Sequence, residues 1–304
     1  MSASAAAAAQ SAPATFTRFA AEPYTPAIGA TISGLDLRQE LDAETAAQLR
    51  AALARFGVLV LREQDIAPEA YLRFAQIFGQ PDRHNVYLRT LPGQPLVEVL
   101  ESDPAANRNA RADAWHSDVT WRADAPATTL LHGKVIPKLG GDTLWASTAA
   151  AYDRLSEGLR AHLATLEAVH SFETSGIREA LAGRRDAGYG ENSGSPEKLE
   201  AARLKFPPVV HPVVKTHPIT GRKVLYVNPG FTSHIRDIPK EQSNQLLNLV
   251  YDVFKTPEVQ LRLRWSPNTI AVWDNRQTVH YGAKDYGDQH RLLHRITLQH
   301  DGVF

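Results

Sequence analysis

From about residue 96 onward the chain is written in short β-branched segments separated by turn signals, and this texture limits the folds open to it. The segments are 96–100, 115–121, 128–136, 209–215, 223–227, 269–273 and 292–299, with turns at 139–141 and 218–221. Many short strands in one domain predict a sandwich or a jelly-roll barrel, the double-stranded β-helix or cupin-like core. Two helical stretches, 148–155 and Lys240–Phe254, interrupt the strands. Before residue 96 the period changes. In 42–56, Ala46, Leu49, Leu53 and Phe56 recur at helical spacing, with Asp42 able to cap the start and Gly57 the end. An apolar strand follows at Val58–Leu61, then a second helix over 68–78 with Tyr71, Phe74 and Phe78 on one face. The expected fold is α+β, a jelly-roll core with flanking helices.

Composition narrows the chemistry. Lys and Arg number 33 against 33 Asp and Glu in 304 residues, so no charge excess points to nucleic acid or an anionic membrane surface. With no Cys and one Met, any metal must be held by His, Asp or Glu. Residues 1–15 are Ala/Ser-rich without the basic start and apolar core of a signal peptide. They read as a disordered tail before a single domain over 16–304. No apolar run approaches the ~20 residues a membrane helix needs, and a cytoplasmic protein is expected. The polar, glycine-rich stretch 183–196 reads as a loop, either a lid over a site or an idle surface segment.

In Trp115-His116-Ser117-Asp118-Val119-Thr120-Trp121 an imidazole and a carboxylate stand two residues apart. On a strand both would point to one face. A third ligand from a distant strand would complete a 2-His-1-carboxylate triad, which leaves coordination positions open and suits iron(II) oxygenases. His-x-Asp alone is a weak signal, since most such pairs are surface accidents. A second pattern lies in Arg291-Leu-Leu-His-Arg295-Ile-Thr-Leu298. Arg291 and Arg295 are four apart, so a strand projects both to one face with Cα atoms about 13 Å apart. Inward guanidinium groups need anionic partners, and a bidentate fork suits a carboxylate.

Several separated blocks together resemble the taurine and alkylsulfate dioxygenases of the TauD/TfdA family. They are Ile28-Gly-Ala-Thr-Ile-Ser-Gly-Leu-Asp-Leu37, Trp115-His-Ser-Asp-Val-Thr120, Gly140-Gly-Asp-Thr-Leu-Trp145, His211-Pro-Val-Val, Thr216-His-Pro, Trp273-Asp-Asn-Arg276, His280 and the arginine strand. The resemblance covers nearly the whole chain. It implies Fe(II) on His116, Asp118 and His280, with 2-oxoglutarate and O2 as co-substrates. It gives the distal carboxylate of 2-oxoglutarate to Arg291 and Thr143. Arg295 falls near the keto-acid end and the anionic head of the prime substrate. Asp118 argues against halogenating relatives, in which a small residue replaces the carboxylate.

The resemblance further places His84, Tyr87, Val119, Phe172 and Phe231 around the substrate. The donors suit a sulfonate or sulfate, and the Phe rings could wall an alkyl chain, although ordinary core is an equal reading of them. Four residues before His116 the taurine enzymes carry a substrate-contacting Asn, where this chain has Ala112. Losing that amide removes a contact worth roughly 1 kcal/mol. The ending from Asp285 to Arg295 is nearer the alkylsulfatase branch. The expected reaction hydroxylates the carbon next to the sulfur or sulfate group of an alkanesulfonate or alkyl sulfate. An aldehyde plus sulfite or sulfate is released, with succinate and CO2 from 2-oxoglutarate. The competing readings are an oxygenase for another anion, such as a phenoxyalkanoate or a biosynthetic intermediate, and a silent anion-binding cupin. By resemblance a dimer or tetramer is expected. The remaining histidines, His132, His162, His170, His217, His234 and His300, show no partner pattern and read as surface or packing residues.

Overall fold

The computed structural model of the chain describes residues 15–83, 88–106, 108–109, 114–175, 204–299, 302 and 304. Residues 1–14 of the expected tail and the loop 183–196 lie outside these residues. The N-terminal elements are β1 (Ala20–Pro23), β2 (Ala30–Ser33), α1 (Ala43–Phe56), β3 (Val58–Leu61) and α2 (Pro68–Ala75). Asp42 accepts from the Thr45 amide at 2.7 Å, and Gly57 closes α1 at φ +72°, so both expected caps form. Helix α2 ends three residues before Phe78, and its last turn loosens into turns leading to Gly79.

Next come β4 (Pro81–Asp82), β5 (Arg89–Leu91), β6 (Gln94–Asp103), β7 (Arg108–Asn109), β8 (Thr128–Val135) and β9 (Thr143–Ser147), then α3 (Thr148–Asp153) and α4 (Glu157–Leu163). After them follow β10 (Glu167–His170), β11 (Val209–Pro212), β12 (Val214–Thr216), β13 (Lys223–Leu225), β14 (Thr232–Ile235) and α5 (Lys240–Phe254). The chain finishes with β15 (Gln260–Leu263), β16 (Ile270–Asp274), β17 (Thr278–Gly282) and β18 (Arg291–Leu298). The expected strand 209–215 is two strands, because β11 pairs with β10 and β12 pairs with β13.

A large sheet runs β1-β2-β3-β16-β8-β18-β6-β5, and a smaller one runs β15-β9-β17. Alternation divides their side chains between layers. Val58, Val60, Leu131, Ala271, Trp273 and Leu293 of the large sheet meet Trp145, Leu261 and Leu263 of the small one. This is the interior of the jelly roll. The opposite face of the large sheet, with Leu59, Leu61, Leu130, Val272 and Ile296, is covered by Leu49 and Leu53 of α1 and Tyr71 and Phe74 of α2. Ala146 and Val279, on the outer face of the small sheet, pack under α3, α4 and α5. The site lies at one mouth of the interior.

Candidate metal and anion site

Strand β17 carries His280, with Val279 turned out to the helical layer and His280 turned in, its ring 4.9 Å from Trp273 between ring centroids. His116 joins it by a single antiparallel bridge, with paired backbone hydrogen bonds of 2.9 and 2.7 Å. The segment 115–121 is therefore not the expected strand. After His116 the chain turns, and Val119 takes the left-handed conformation at φ +56°. A turn rather than strand alternation swings Asp118 beneath the two imidazoles. Ligand atoms of His116, Asp118 and His280 all lie within 4.8 Å of one another, and the rings of the two histidines are 4.1 Å apart.

The surroundings prepare these groups as ligands. His116 Nδ1 donates to the Ala114 carbonyl at 2.7 Å, which leaves Nε2 as the lone-pair nitrogen. Gly230 packs so tightly on this residue that an added Cβ would lie 2.7 Å from His116 Cβ. His280 is buried, and its Nδ1 has no hydrogen-bond partner among the described residues. Burial, then the neighbouring His116, lowers its pKa to about 3, so it is a neutral donor. Burial alone would raise the Asp118 pKa, but Arg295, His280, His116 and the Thr129 hydroxyl together hold it below its ordinary value. Two imidazoles and an ionised carboxylate, with one buried nitrogen unpartnered, form a donor set that fits a divalent iron ion.

Asp118 is held from behind. Thr129 donates to its Oδ2 at 2.8 Å, and Thr129 in turn accepts from Asn275 Nδ2 at 2.8 Å. Asn275 Oδ1 accepts from Trp273 Nε1 and from the Asp118 amide. Ser117 Oγ donates to the Asn275 carbonyl. The next buried layer is Asp274, gripped by Arg276 and by His217 Nε2 at 2.9 Å. Burial opposes ionisation of Asp274, yet those partners bring its pKa down to about 2. His217 is thus a buried, hydrogen-bonded structural residue, the packing rather than the surface alternative expected for it. His170 likewise sits fully buried between the hydroxyls of Thr120 and Thr232.

The arginine strand lies on the inner face of the large sheet. Arg291, Leu293 and Arg295 alternate inward and pair across to Ser102, Leu100 and Glu98 of β6. Arg291 hydrogen-bonds the Gly141 carbonyl, but its Nε is buried with no partner among the described residues. Gly141 admits this approach, since a Cβ there would stand 3.2 Å from that Nε at φ +73°. A desolvated guanidinium with an unused donor calls for an anion. The Thr143 hydroxyl accepts from Trp265 Nε1 at 2.9 Å, so its own hydrogen remains to be donated. Arg295 is bound differently: Nε donates to Glu98 Oε2 at 2.7 Å and one terminal nitrogen to Asp118 Oδ1 at 3.3 Å.

Val119, Trp121 and Phe172 form a buried apolar cluster with Phe206 and Phe231 packed on it. Phe231 stands edge-on to His116, with centroids 5.9 Å apart. The structure therefore brings Val119, Phe172 and Phe231 together beside His116, and adds Trp121 and Phe206 to the same wall. His84, Tyr87 and Ala112 lie outside the described residues. Glu98, Thr129, Asn275 and Asp274 went unassigned in the sequence reading. Only the Trp273–Arg276 block hinted at two of them.

A jelly roll with two imidazoles and one carboxylate converging at its mouth, beside a row of inward arginines, defines a mononuclear non-haem metal oxygenase site. Residues 20–297 match the family described as "Taurine catabolism dioxygenase TauD, TfdA family", and the chain belongs to it. It is 36% identical over 279 residues to the alkylsulfatase of Acinetobacter baylyi, covering 90% of this chain and 83% of that one. It is 35% identical to an alpha-ketoglutarate-dependent sulfate ester dioxygenase of Pseudomonas putida, covering 91% and 88%. A taurine dioxygenase from Burkholderia xenovorans superposes with a TM-score of 0.76 at 33% identity, covering 93% and 90%.

Proposed function

We propose that the chain is an Fe(II)- and 2-oxoglutarate-dependent dioxygenase that oxidises an alkyl sulfate or alkanesulfonate at the carbon next to the sulfate or sulfonate group. The observation that carries the reading is the row on one inner face, from Arg291 to Arg295 and on to Asp118 with its two imidazoles. That row sets an anion clamp and a candidate metal site on one inner face, with Arg295 between them. The sulfate ester and alkylsulfatase relatives support the substrate class.

His116, Asp118 and His280 hold the metal, and Thr129 and Asn275 fix the Asp118 carboxylate. Arg291 and the Thr143 hydroxyl hold the distal carboxylate of 2-oxoglutarate. Arg295 faces its keto-acid end and the anionic head of the substrate. Val119, Trp121, Phe172, Phe206 and Phe231 take the alkyl portion and keep water from the reacting carbon; His84 and Tyr87 are assigned to the anionic head. Bound iron, 2-oxoglutarate and O2 supply the oxidation, which leaves one oxygen on the substrate carbon and the other in succinate, with loss of CO2. The hydroxylated carbon then forms a carbonyl, breaks its bond to the sulfate oxygen or sulfonate sulfur, and releases a proton with the anion. None of the chain's acids or bases is required for that collapse.

Among the described residues no helix is long and apolar enough to cross a membrane. Cytoplasmic action and a homo-oligomeric state complete the proposal. The test is oxygen consumption over alkyl sulfates, alkanesulfonates including taurine, and phenoxyacetates, with sulfate and sulfite measured. Release of either anion with matching succinate is expected. Oxygen uptake on phenoxyacetate alone, with no sulfur anion from any substrate, would refute the sulfur reading.

A further inference from the structure

Glu98 is a fully buried carboxylate on the inner face of β6, directly opposite Arg295. One oxygen takes the Arg295 Nε at 2.7 Å, while Oε1 is buried without a hydrogen-bond partner among the described residues. A carboxylate so placed is unusual in a cavity meant to collect anions. Arg295 is already shared with Asp118, so two carboxylates surround it before any ligand arrives. The charges of Arg291 and Arg295 are then balanced by those of Asp118 and Glu98, two against two. Fe(II) and doubly charged 2-oxoglutarate also cancel. From the described residues, a monoanionic substrate would meet no net positive charge.

We infer that Glu98 sets the anion affinity of this site: it orients Arg295 through Nε and, by its charge, weakens the hold of the guanidinium on every anionic ligand. It is a specificity and positioning residue, and it keeps the anion clamp from binding co-substrate, substrate and sulfur product too tightly. This inference rests on the proposed function for the identity of the anions, not for the presence of Glu98 beside Arg295. Glu98→Gln separates the two roles. The amide oxygen can still accept from Arg295 Nε, so geometry is kept while the charge is removed. Glu98→Ala removes both.

Removing one like charge a side chain away from the ligand, at the effective dielectric of a protein interior, changes anion affinity by about tenfold or more. The experiment is anaerobic titration calorimetry of Fe(II)-loaded protein with 2-oxoglutarate, then of the 2-oxoglutarate complex with hexyl sulfate, and with hexanol as an uncharged control. Glu98→Gln should tighten both anions about tenfold or more and leave hexanol unchanged. Glu98→Ala should fall short of that gain, because Arg295 loses its support. Unchanged or weaker binding of 2-oxoglutarate by Glu98→Gln would overturn the inference. If wild-type protein binds 2-oxoglutarate but no hexyl sulfate, the sulfate-ester reading fails, while the 2-oxoglutarate arm still decides the role of Glu98.

Discussion

Asp118, the proposed carboxylate ligand, is positioned by residues that stand outside the proposed metal site. Its Oδ2 is fixed by Thr129, which is fixed by Asn275, which also takes the Asp118 amide. Groups that orient a ligand in this way are worth roughly 10–100-fold in metal affinity. Asn275→Ala should therefore weaken Fe(II) binding by that order, read by anaerobic equilibrium dialysis, with the fold intact by circular dichroism; an unchanged affinity would refute the role. Arg291 acts at the other end of the row. Arg291→Ala should raise KM for 2-oxoglutarate with a smaller change in kcat, and an unchanged KM would remove it from the co-substrate site. At this scale the three side chains that converge were named from the sequence, and their supports were not. His116 and Asp118 stand two apart in the chain, a spacing that a sequence displays. Thr129 and Glu98 are ordinary strand residues there: Asp118 reaches Thr129 from a turn and Asn275 from the end of β16, and the pairing of β18 with β6 sets Arg295 opposite Glu98.

Elements with local causes were the easiest to foresee. The Asp42 cap and left-handed Gly57 bound α1, and Val58–Leu61 and Lys240–Phe254 form where the pattern predicts. The segment 115–121 failed because His-x-Asp looks the same in a strand and in a turn. The single bridge between His116 and His280 holds the first ligand, and the left-handed Val119 redirects the chain at the second. Helix α2 ends at Ala75, short of the expected Phe78, and turns carry the chain on to Gly79. The His116 bridge also needs Gly230, whose amide hydrogen-bonds the Trp115 carbonyl at 3.1 Å. Gly230→Ala would force a Cβ against His116 Cβ. It should destabilise the fold by about 1–3 kcal/mol and weaken iron binding together. A variant with wild-type melting temperature and wild-type iron affinity would show that the contact relaxes freely.

Across the whole molecule, burial collects imidazoles that the folded state keeps uncharged. Burial, then Lys134 and His294, lowers His132 to about 3. Burial, then His116, does the same to His280, and burial, then His211, holds His170 well below its ordinary value. In each case the folded pKa lies below the unfolded 6.5, so the unfolded chain binds more protons below about pH 6.5, down to about pH 3 for His132 and His280. Stability must rise with pH through that window and is lost as pH falls below about 6.5, each imidazole adding a slope of at most about 1.4 kcal/mol per pH unit. Metal-free protein should melt at a lower temperature at roughly pH 5.5 than at pH 7.5; equal or inverted melting temperatures would contradict the burial of these rings as neutral groups. The jelly-roll layout itself was readable from strand texture. The charge balance of its interior was not, since it depends on which inward residues face one another across two sheets.

His116, Asp118 and His280 are proposed to hold the one iron ion that 2-oxoglutarate turnover requires. Anaerobic Fe(II) binding and succinate release, measured together on wild type and on His116→Ala, Asp118→Ala and His280→Ala, decide it. Wild type should bind one ion per chain and release succinate, and each variant should lose turnover and bind iron far more weakly while still folding. Wild-type iron affinity and wild-type succinate release in any one of the three would contradict the claim.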